Sequence, residues 1–519
     1  MFGKRLVSLF FVFTVTSFAI AGPDDWTNLA HTPQHSSIAV DGPNQIDAST
    51  LQWINDFDPQ DPNYFVSFES YTAPVVHNGK VYAYAKYFNP NEGFDYTNSQ
   101  IVAYDSNSGQ IEWSTPVDLQ AWDSASSPCV DTKHNTVLMG SGNKVFCLDA
   151  QSGTQLWAAQ LEKVTVNASV CTATDLPNAR AFAVDYDGFG ITGKIYCINL
   201  DPNTPENPYQ PGQIIWSDTI GQTTGNTPAY KNGVVYVTSL SSPTNFNGNI
   251  YAYDATAATP VKIWQTTDPN FDTFSGGVTV TKEGYLYAVS YDWNEEFEDN
   301  SQLCKIDCTD GNIVWMIDAE RSNSIPIVVG DKIYISGGIA DDPSPDKWWE
   351  GSRPKVEAYQ DNGPTATKLW ETPESMVVGG WTSQAAYADG KLYVGAIPLD
   401  GDAFGAYTDL YILDLSKEPN EPNFIIAHYN DFSCGNSPAV TYDSIYTLGA
   451  GRLVKFKQPA LLGDIEEDNA VDSLDLSSIA NLWLLDRPIG TLRCDLDLDG
   501  MINMTDLALL ANDWNTEIE

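Results

Sequence analysis

The 519-residue chain is poor in positive charge, in histidine and in cysteine. Against 68 acidic residues stand 26 lysines and arginines, a formal net charge of −42 at pH 7. That balance excludes nucleic acid and anionic membrane surfaces as partners, because both are recognised by basic patches. Five histidines, His31, His35, His77, His134 and His428, leave little material for imidazole chemistry. His31 and His35 have the spacing of helical metal ligands, but Pro33 between them argues against such a helix. The eight cysteines include no adjacent pair. Cys147 and Cys197 share a repeat position, as Cys129 and Cys171 nearly do, so disulfides between neighbouring units and buried free thiols both stay open. Also missing is any long apolar run beyond the N-terminus. There Lys4 and Arg5 precede an apolar stretch from Leu6 to about Phe18, and Ala19-Ile20-Ala21 offers a small-x-small cleavage site. The stretch is short for a membrane span. Residues 1–21 therefore read as a secretory signal, which makes the mature chain a secreted protein, extracellular, cell-surface or periplasmic, with no integral membrane segment after cleavage.

What the chain does have is a repeat. Ile101 to Trp113, IVAYDSNSGQIEW, is a strand, a polar turn and a second strand. The same grammar recurs in VFCLDAQSGTQLW ending at Trp157, IYAYDATAATPVKIW at Trp264 and LCKIDCTDGNIVW at Trp315. First strands begin near Thr72, Ser127, Ala168, Thr227, Gly277, Ile325, Gln384 and Ser437. Fourth strands carry Trp113, Trp157, Trp216, Trp264, Trp315 and Trp370, with Phe424-Ile425-Ile426 in the seventh unit. The last unit stops after three strands, while a lone fourth-type strand, Leu51 to Asp56 around Trp53, lies at the opposite end. A closed ring of four-stranded blades uses every piece, with that strand completing the last blade. The expected fold is all-β: an eight-bladed β-propeller over 51–458, preceded by a polar lead segment, 22–50, and followed by a small α-helical module, 459–519.

The pattern Ala-x-Asp-x-x-x-Gly-x-x-x-Trp is best kept at Asp105, Gly109 and Trp113; at Asp149, Gly153 and Trp157; and at Asp307, Gly311 and Trp315. It resembles the pyrroloquinoline-quinone-type propeller repeat, which implies that each tryptophan docks on the neighbouring blade. The third, fourth, sixth and seventh units depart from it, with Asn199, a missing glycine, Gln360 and a missing tryptophan respectively. Quinone-dependent dehydrogenases of this class use adjacent cysteines over the quinone, a calcium ion and a catalytic aspartate. Without the cysteine pair, the chain looks nearer to the family's non-catalytic, protein-binding rings. Its catalytic residues are unknown, and 68 acidic residues allow too many carboxylate pairs to single out a glycosidase pair.

Loops joining second to third strands emerge on one face, and four are long: Tyr87 to Tyr96, Tyr291 to Asn300, Asp341 to Gly351 and Pro398 to Asp409. Trp293, Trp348, Trp349, Phe404 and Tyr407 are the candidates there to stack on a sugar or to meet a protein. Packing of the loops on one another over the channel is the alternative.

Past Pro459 a different grammar begins. DLDLDGMINMTD places Asp495, Asp497, Asp499 and Asp506 at loop positions one, three, five and twelve, Gly500 at six and the Met501 carbonyl at seven. Converging oxygen ligands with a glycine at the sharp turn are what calcium requires. A weaker copy, DIEEDNAVDSLD, offers Asp464, Glu466, Asp468, the Ala470 carbonyl and Asp475, with Asn469 in place of glycine. Each loop leads into a short amphipathic helix, DLSSIANLW or DLALLANDW. Both end in aspartate and lack an entering helix, and together they resemble a type I dockerin. The resemblance implies two calcium ions, a cohesin-bearing scaffold as partner, and recognition positions at Ser473 with Leu474 and Met504 with Thr505, which differ from the Ser-Thr pair of well-known clostridial dockerins. The expected protein is an exported, non-catalytic propeller that binds a carbohydrate or a protein and is tethered through its dockerin. A polysaccharide lyase or glycoside hydrolase built on a propeller is the alternative, and a quinone-dependent dehydrogenase the third reading.

Overall fold

The apolar runs fold into eight sheets, each built on four antiparallel strands that are successive in the chain in all but the eighth. The computed structural model describes residues 25–55, 65–67, 72–88, 96–119, 126–188, 190–241, 247–292, 301–339, 352–396, 409–430, 437–449, 452–459, 461–465, 470–487, 489 and 492–516. In the second unit the strands are Cys129–Asp131, Thr136–Ser141, Lys144–Asp149 and Gln155–Gln160, hydrogen-bonded in that order. Second strands are covered on both faces. Every residue of Thr136–Ser141 and of Lys391–Ala396 is buried, so these strands read as continuous runs instead of alternating. Outermost strands such as Gln155–Gln160 keep one side in solvent.

The eighth sheet closes the ring. Leu51–Asn55 pairs antiparallel with Arg452–Lys457, Ile54 opposite Val454, so the lone N-terminal strand completes the last blade. The sequence did not announce Phe65–Ser67, which pairs with the Lys86–Phe88 end of Lys80–Phe88 on the same edge as Val75–His77.

The repeated aspartate, glycine and tryptophan form the joints between blades. The Asp105 carboxylate accepts hydrogen bonds from the Asn107 and Ser108 backbone N–H groups at 3.2 and 2.8 Å, which fixes the turn. Gly109 follows with a φ of +67°, and a Cβ on it would lie 2.6 Å from the indole of Trp53. Gly153 meets Trp113 at 2.5 Å in the same way. Glycine is required there twice over, for its left-handed backbone and for the close approach of the ring. Each indole N–H then donates across the joint: Trp53 to the Ser106 carbonyl and Trp113 to that of Ala150, both at 3.1 Å. In the seventh unit, whose turn has no glycine, Trp370 of the sixth blade packs edge-on against Phe424 at 5.6 Å instead. The seven described cysteines, Cys147, Cys197, Cys129 and Cys171 among them, are free thiols.

One joint is ionic. His134 of the second blade lies between Asp131 of its own blade and Asp201 of the third, with Nε2 2.7 Å from Asp201. The hydrogen bond to Asp131, helped by Asp201, outweighs partial burial and raises its pKa above the ordinary 6.5. A raised pKa means that the imidazolium stabilises the fold fully below about pH 6.5 and that this contribution is lost as pH rises through the raised value. His134→Gln should therefore lower the denaturation midpoint clearly at pH 6 and by much less at pH 9. Equal losses at both would mean that the joint is held by packing alone.

The lead segment departs most from expectation. It does not merely precede the ring but enters its central channel. Trp26 exchanges backbone hydrogen bonds with Val76 of the first blade at 2.7 and 2.9 Å. The Thr27 carbonyl accepts from Val130 of the second blade, Pro33 from Tyr230 of the fourth, Gln34 from Val280 of the fifth and Ser37 from Tyr387 of the seventh. Ile38–Ala39 then adds a parallel strand inside Ala386–Ala388. First strands leave unpaired backbone groups facing the channel, and this plug satisfies them around most of the ring. His31 and His35 belong to the plug, and no helix joins them. The Nδ1–H of His35 donates to the Val278 carbonyl at 2.9 Å, and His31 stacks on Trp26. Burial lowers the pKa of both to about 4, so both are neutral.

Candidate metal centre and partner face

The C-terminal module is a duplicated loop and helix. The first helix, α1, spans Ser473–Asn481 and the second, α2, Met504–Asn512. Each begins two residues before the aspartate that ends its loop. Asp472 and Asn503 are the N-caps, and Asp475 and Asp506 sit at the third helical position, completing capping boxes. The two halves match bond for bond. Asp475 accepts from the Ile465 and Asp472 N–H groups at 2.6 and 2.8 Å, and Asp506 from those of Leu496 and Asn503 at 2.6 and 2.7 Å. An aspartate in place of the longer glutamate thus ties each loop to its own helix.

In the second loop one oxygen from each of Asp495, Asp497 and Asp499 comes within 4.8 Å of the others. Gly500, at φ +83°, makes the turn and donates its N–H to Asp495 at 3.0 Å. Burial first, then repulsion among Asp506, Asp497 and Asp499, raises the Asp495 pKa to about 7. Asp497 rises to about 6 for the same reasons, and Asp506 also moves up. Hard oxygen donors that penalise one another's charge suit a divalent cation, which would remove that penalty. In the first loop Asp464 and Asp475 are buried, while Glu466 and Asp468 lie outside the described residues.

The module rests on the propeller face that carries the turns between first and second strands. Lys282, in such a turn of the fifth blade, bonds the Asp486 carboxylate and donates to the Arg487 and Gly500 carbonyls, the latter two at 2.6 and 3.1 Å. Arg493 reaches the other way. Its guanidinium meets Asp389 of the seventh blade and Asp41 of the plug, both at 3.0 Å. Asp41 is also bonded by Lys391 at 3.1 Å, so module, plug and blade share one carboxylate. Turned away from this contact, Leu474 is 51% exposed and Met504 65%, with Trp483 and Trp514 also exposed. Ser473 is exposed and Thr505 half-buried at the same helix starts.

The aromatic candidates Trp293, Trp348, Trp349, Phe404 and Tyr407 lie outside the described residues. The strands bracketing them, Tyr285–Val289 with Gln302–Asp307, Lys332–Gly337 with Lys355–Asp361 and Lys391–Ala396 with Asp409–Asp414, are antiparallel neighbours whose joined ends lie on the face opposite the turns. Sequence reasoning missed the plug, Lys282 and Arg493. The one available hint was that Arg487 and Arg493 are the only basic residues after Lys457.

A closed ring with tryptophan joints, carrying a duplicated acidic loop-and-helix module, defines a tryptophan-docked propeller with a metal-loop appendage. Residues 64–261 and 246–396 match the family described as outer membrane protein assembly factor BamB, and they span more than half the chain. The chain belongs to this PQQ-type repeat family, and residues 462–515 match the type I dockerin domain. No curated protein matches the chain. Among solved structures it is similar to the quinohemoprotein alcohol dehydrogenase of Comamonas testosteroni, at 12% identity and a TM-score of 0.54, over 85% of this chain and 81% of that one. A quinohemoprotein alcohol dehydrogenase from Pseudomonas putida HK5 matches at 11% and 0.53, over 88% and 85%. A europium-containing methanol dehydrogenase matches at 11% and 0.54, over 84% and 98%. At these identities the likeness is one of fold.

Proposed function

We propose that the chain is an exported, non-catalytic binding propeller attached to an extracellular scaffold through its dockerin, with a cohesin as partner. The observation that carries this is the orientation of the C-terminal module. Its charged side is spent on the propeller, while the apolar helix starts at Leu474 and Met504 face solvent. An exposed apolar patch rimmed by polar residues is the usual mark of a protein-binding face. Calcium would be held by Asp495, Asp497, Asp499, Asp506 and the Met501 carbonyl, and in the first loop by Asp464, Glu466, Asp468, Asp475 and the Ala470 carbonyl, two ions in all. It would supply positive charge that shapes the loops and sets the helix starts. Leu474→Glu with Met504→Glu should weaken cohesin binding at least ~100-fold, as loss of central apolar anchors does, and leave calcium stoichiometry unchanged.

For the propeller, the plug takes up the backbone groups of the first strands, and the face opposite the turns, to which the sequence assigns long aromatic and acidic loops, is the proposed binding face. Trp293, Trp348, Trp349, Phe404 and Tyr407 are the proposed ligand contacts there, and a polysaccharide or a protein surface is the proposed ligand. Likeness to quinone enzymes is a likeness of architecture, and architecture does not carry chemistry. The test is a panel of polysaccharides incubated with the purified chain. Retention on one of them without released product supports the reading, and product release would make the chain a lyase or glycoside hydrolase.

A further inference from the structure

Where plug, propeller and dockerin meet lies a pocket of about 220 Å³. Its apolar wall is drawn from all three parts: Ile38 of the plug, Val280 and Val328 of the fifth and sixth blades, and Ile489 and Leu498 of the dockerin. For scale, an engineered apolar cavity of about 150 Å³ holds benzene, so this one has room for a benzene-sized body and a small polar head.

Three polar residues of the lining keep unspent groups, whereas Thr279 and Lys282 are bonded elsewhere. Lys231, Gln34 and Thr281 all line the pocket. They are gathered by the plug's own backbone bonds, since the Pro33 carbonyl accepts from Tyr230 and the Gln34 carbonyl from Val280. The Thr281 hydroxyl is buried without a hydrogen-bond partner. Among the described residues the Lys231 ammonium and the Gln34 amide have no side-chain partner either. Burial lowers the Lys231 pKa, against the opposing pull of Glu283. Of the two carboxylates at the rim, Glu283 is exposed and Asp497 belongs to the metal loop. An ammonium, an amide and a hydroxyl left unpaired beside an apolar wall form a set of donors for one carboxylate.

We infer that this pocket is a binding site for a small monocarboxylate with a compact apolar body, its carboxylate on Lys231, Gln34 and Thr281 and its body against Ile38, Val328 and Leu498. Because two wall residues belong to the dockerin, an occupant favours the docked module over the free one by mass action.

Benzoate is the probe. Titrated by calorimetry into the full-length chain in calcium, it should bind saturably with a Kd of about 0.1–1 mM, a range a nine-atom ligand can reach. Benzamide, the neutral isostere, should bind at least ~10-fold more weakly. Lys231→Met should weaken benzoate by at least ~10-fold, and Val328→Phe, which fills the pocket and leaves the lysine in place, should abolish binding. Thermal melting checks that both variants are folded. No saturable binding up to ~20 mM overturns the inference. So does equal binding of benzoate and benzamide, or benzoate binding that neither substitution alters.

Discussion

Asp495→Ala is expected to remove calcium binding at the second loop, lowering its affinity by more than ~100-fold, and to loosen the whole C-terminal module. Asp495 is buried, supplies one of the three converging carboxylates and receives the N–H of Gly500. Truncation deletes the first ligand and orphans the donor that holds the turn, and charge count is what sets affinity in such loops. Metal-binding energy in small modules is largely folding energy, so the consequence reaches beyond the ion. Calorimetry should count one site fewer than in the parent chain. Hydrogen exchange across 495–506 should speed up while the blade strands stay protected. An unchanged site count would remove the metal centre from the account.

The second large effect is expected in the plug. Trp26 has 0% exposure, stacks on His31 with ring centroids 4.6 Å apart and sits where the plug pairs with the first blade. Trp26→Ala should cost about 3–5 kcal/mol, the range for buried large aromatics. Its indole N–H has no hydrogen-bond partner among the described residues, so Trp26→Phe, which keeps most of the ring, should cost far less. Four plug residues, Ala30, His31, His35 and Ser37, hold left-handed backbones at about 1–2 kcal/mol each. That conformation persists only while the contacts around it do. Denaturation midpoints of the two variants, followed by far-ultraviolet circular dichroism, measure the difference. A loss below ~1 kcal/mol for Trp26→Ala would mean that the plug lies outside the cooperative fold.

What could be read from the chain in advance follows from where each residue finds its partners. Trp113, Gly153 and their counterparts were legible because one joint is written out repeatedly with the same spacing. The closing strand was legible because an incomplete last unit and a surplus strand at the other end have one economical solution. The acidic loops were legible because calcium ligands lie close together in sequence. None of this applies to residues 25–42. Trp26, Leu29, Ile38 and Ala39 follow neither a strand nor a helix period, and their partners, from Val76 to Tyr387, are spread around the ring. The helices begin two residues earlier than the loop spacing suggests, because Asp475 and Asp506 each end a loop and are also the third residue of a helix.

Lys282, Arg493 and Asp41 seat the dockerin on the turn face, while Leu474 and Met504 stay exposed. On the proposed reading, scaffold and ligand are engaged on opposite sides of the ring. The direct test is size-exclusion chromatography with light scattering of the full-length chain mixed with a panel of type I cohesins, with calcium and with chelator. A one-to-one complex that forms with at least one cohesin in calcium and dissolves on chelation is the predicted result. A chain that elutes alone from every cohesin in saturating calcium would contradict it.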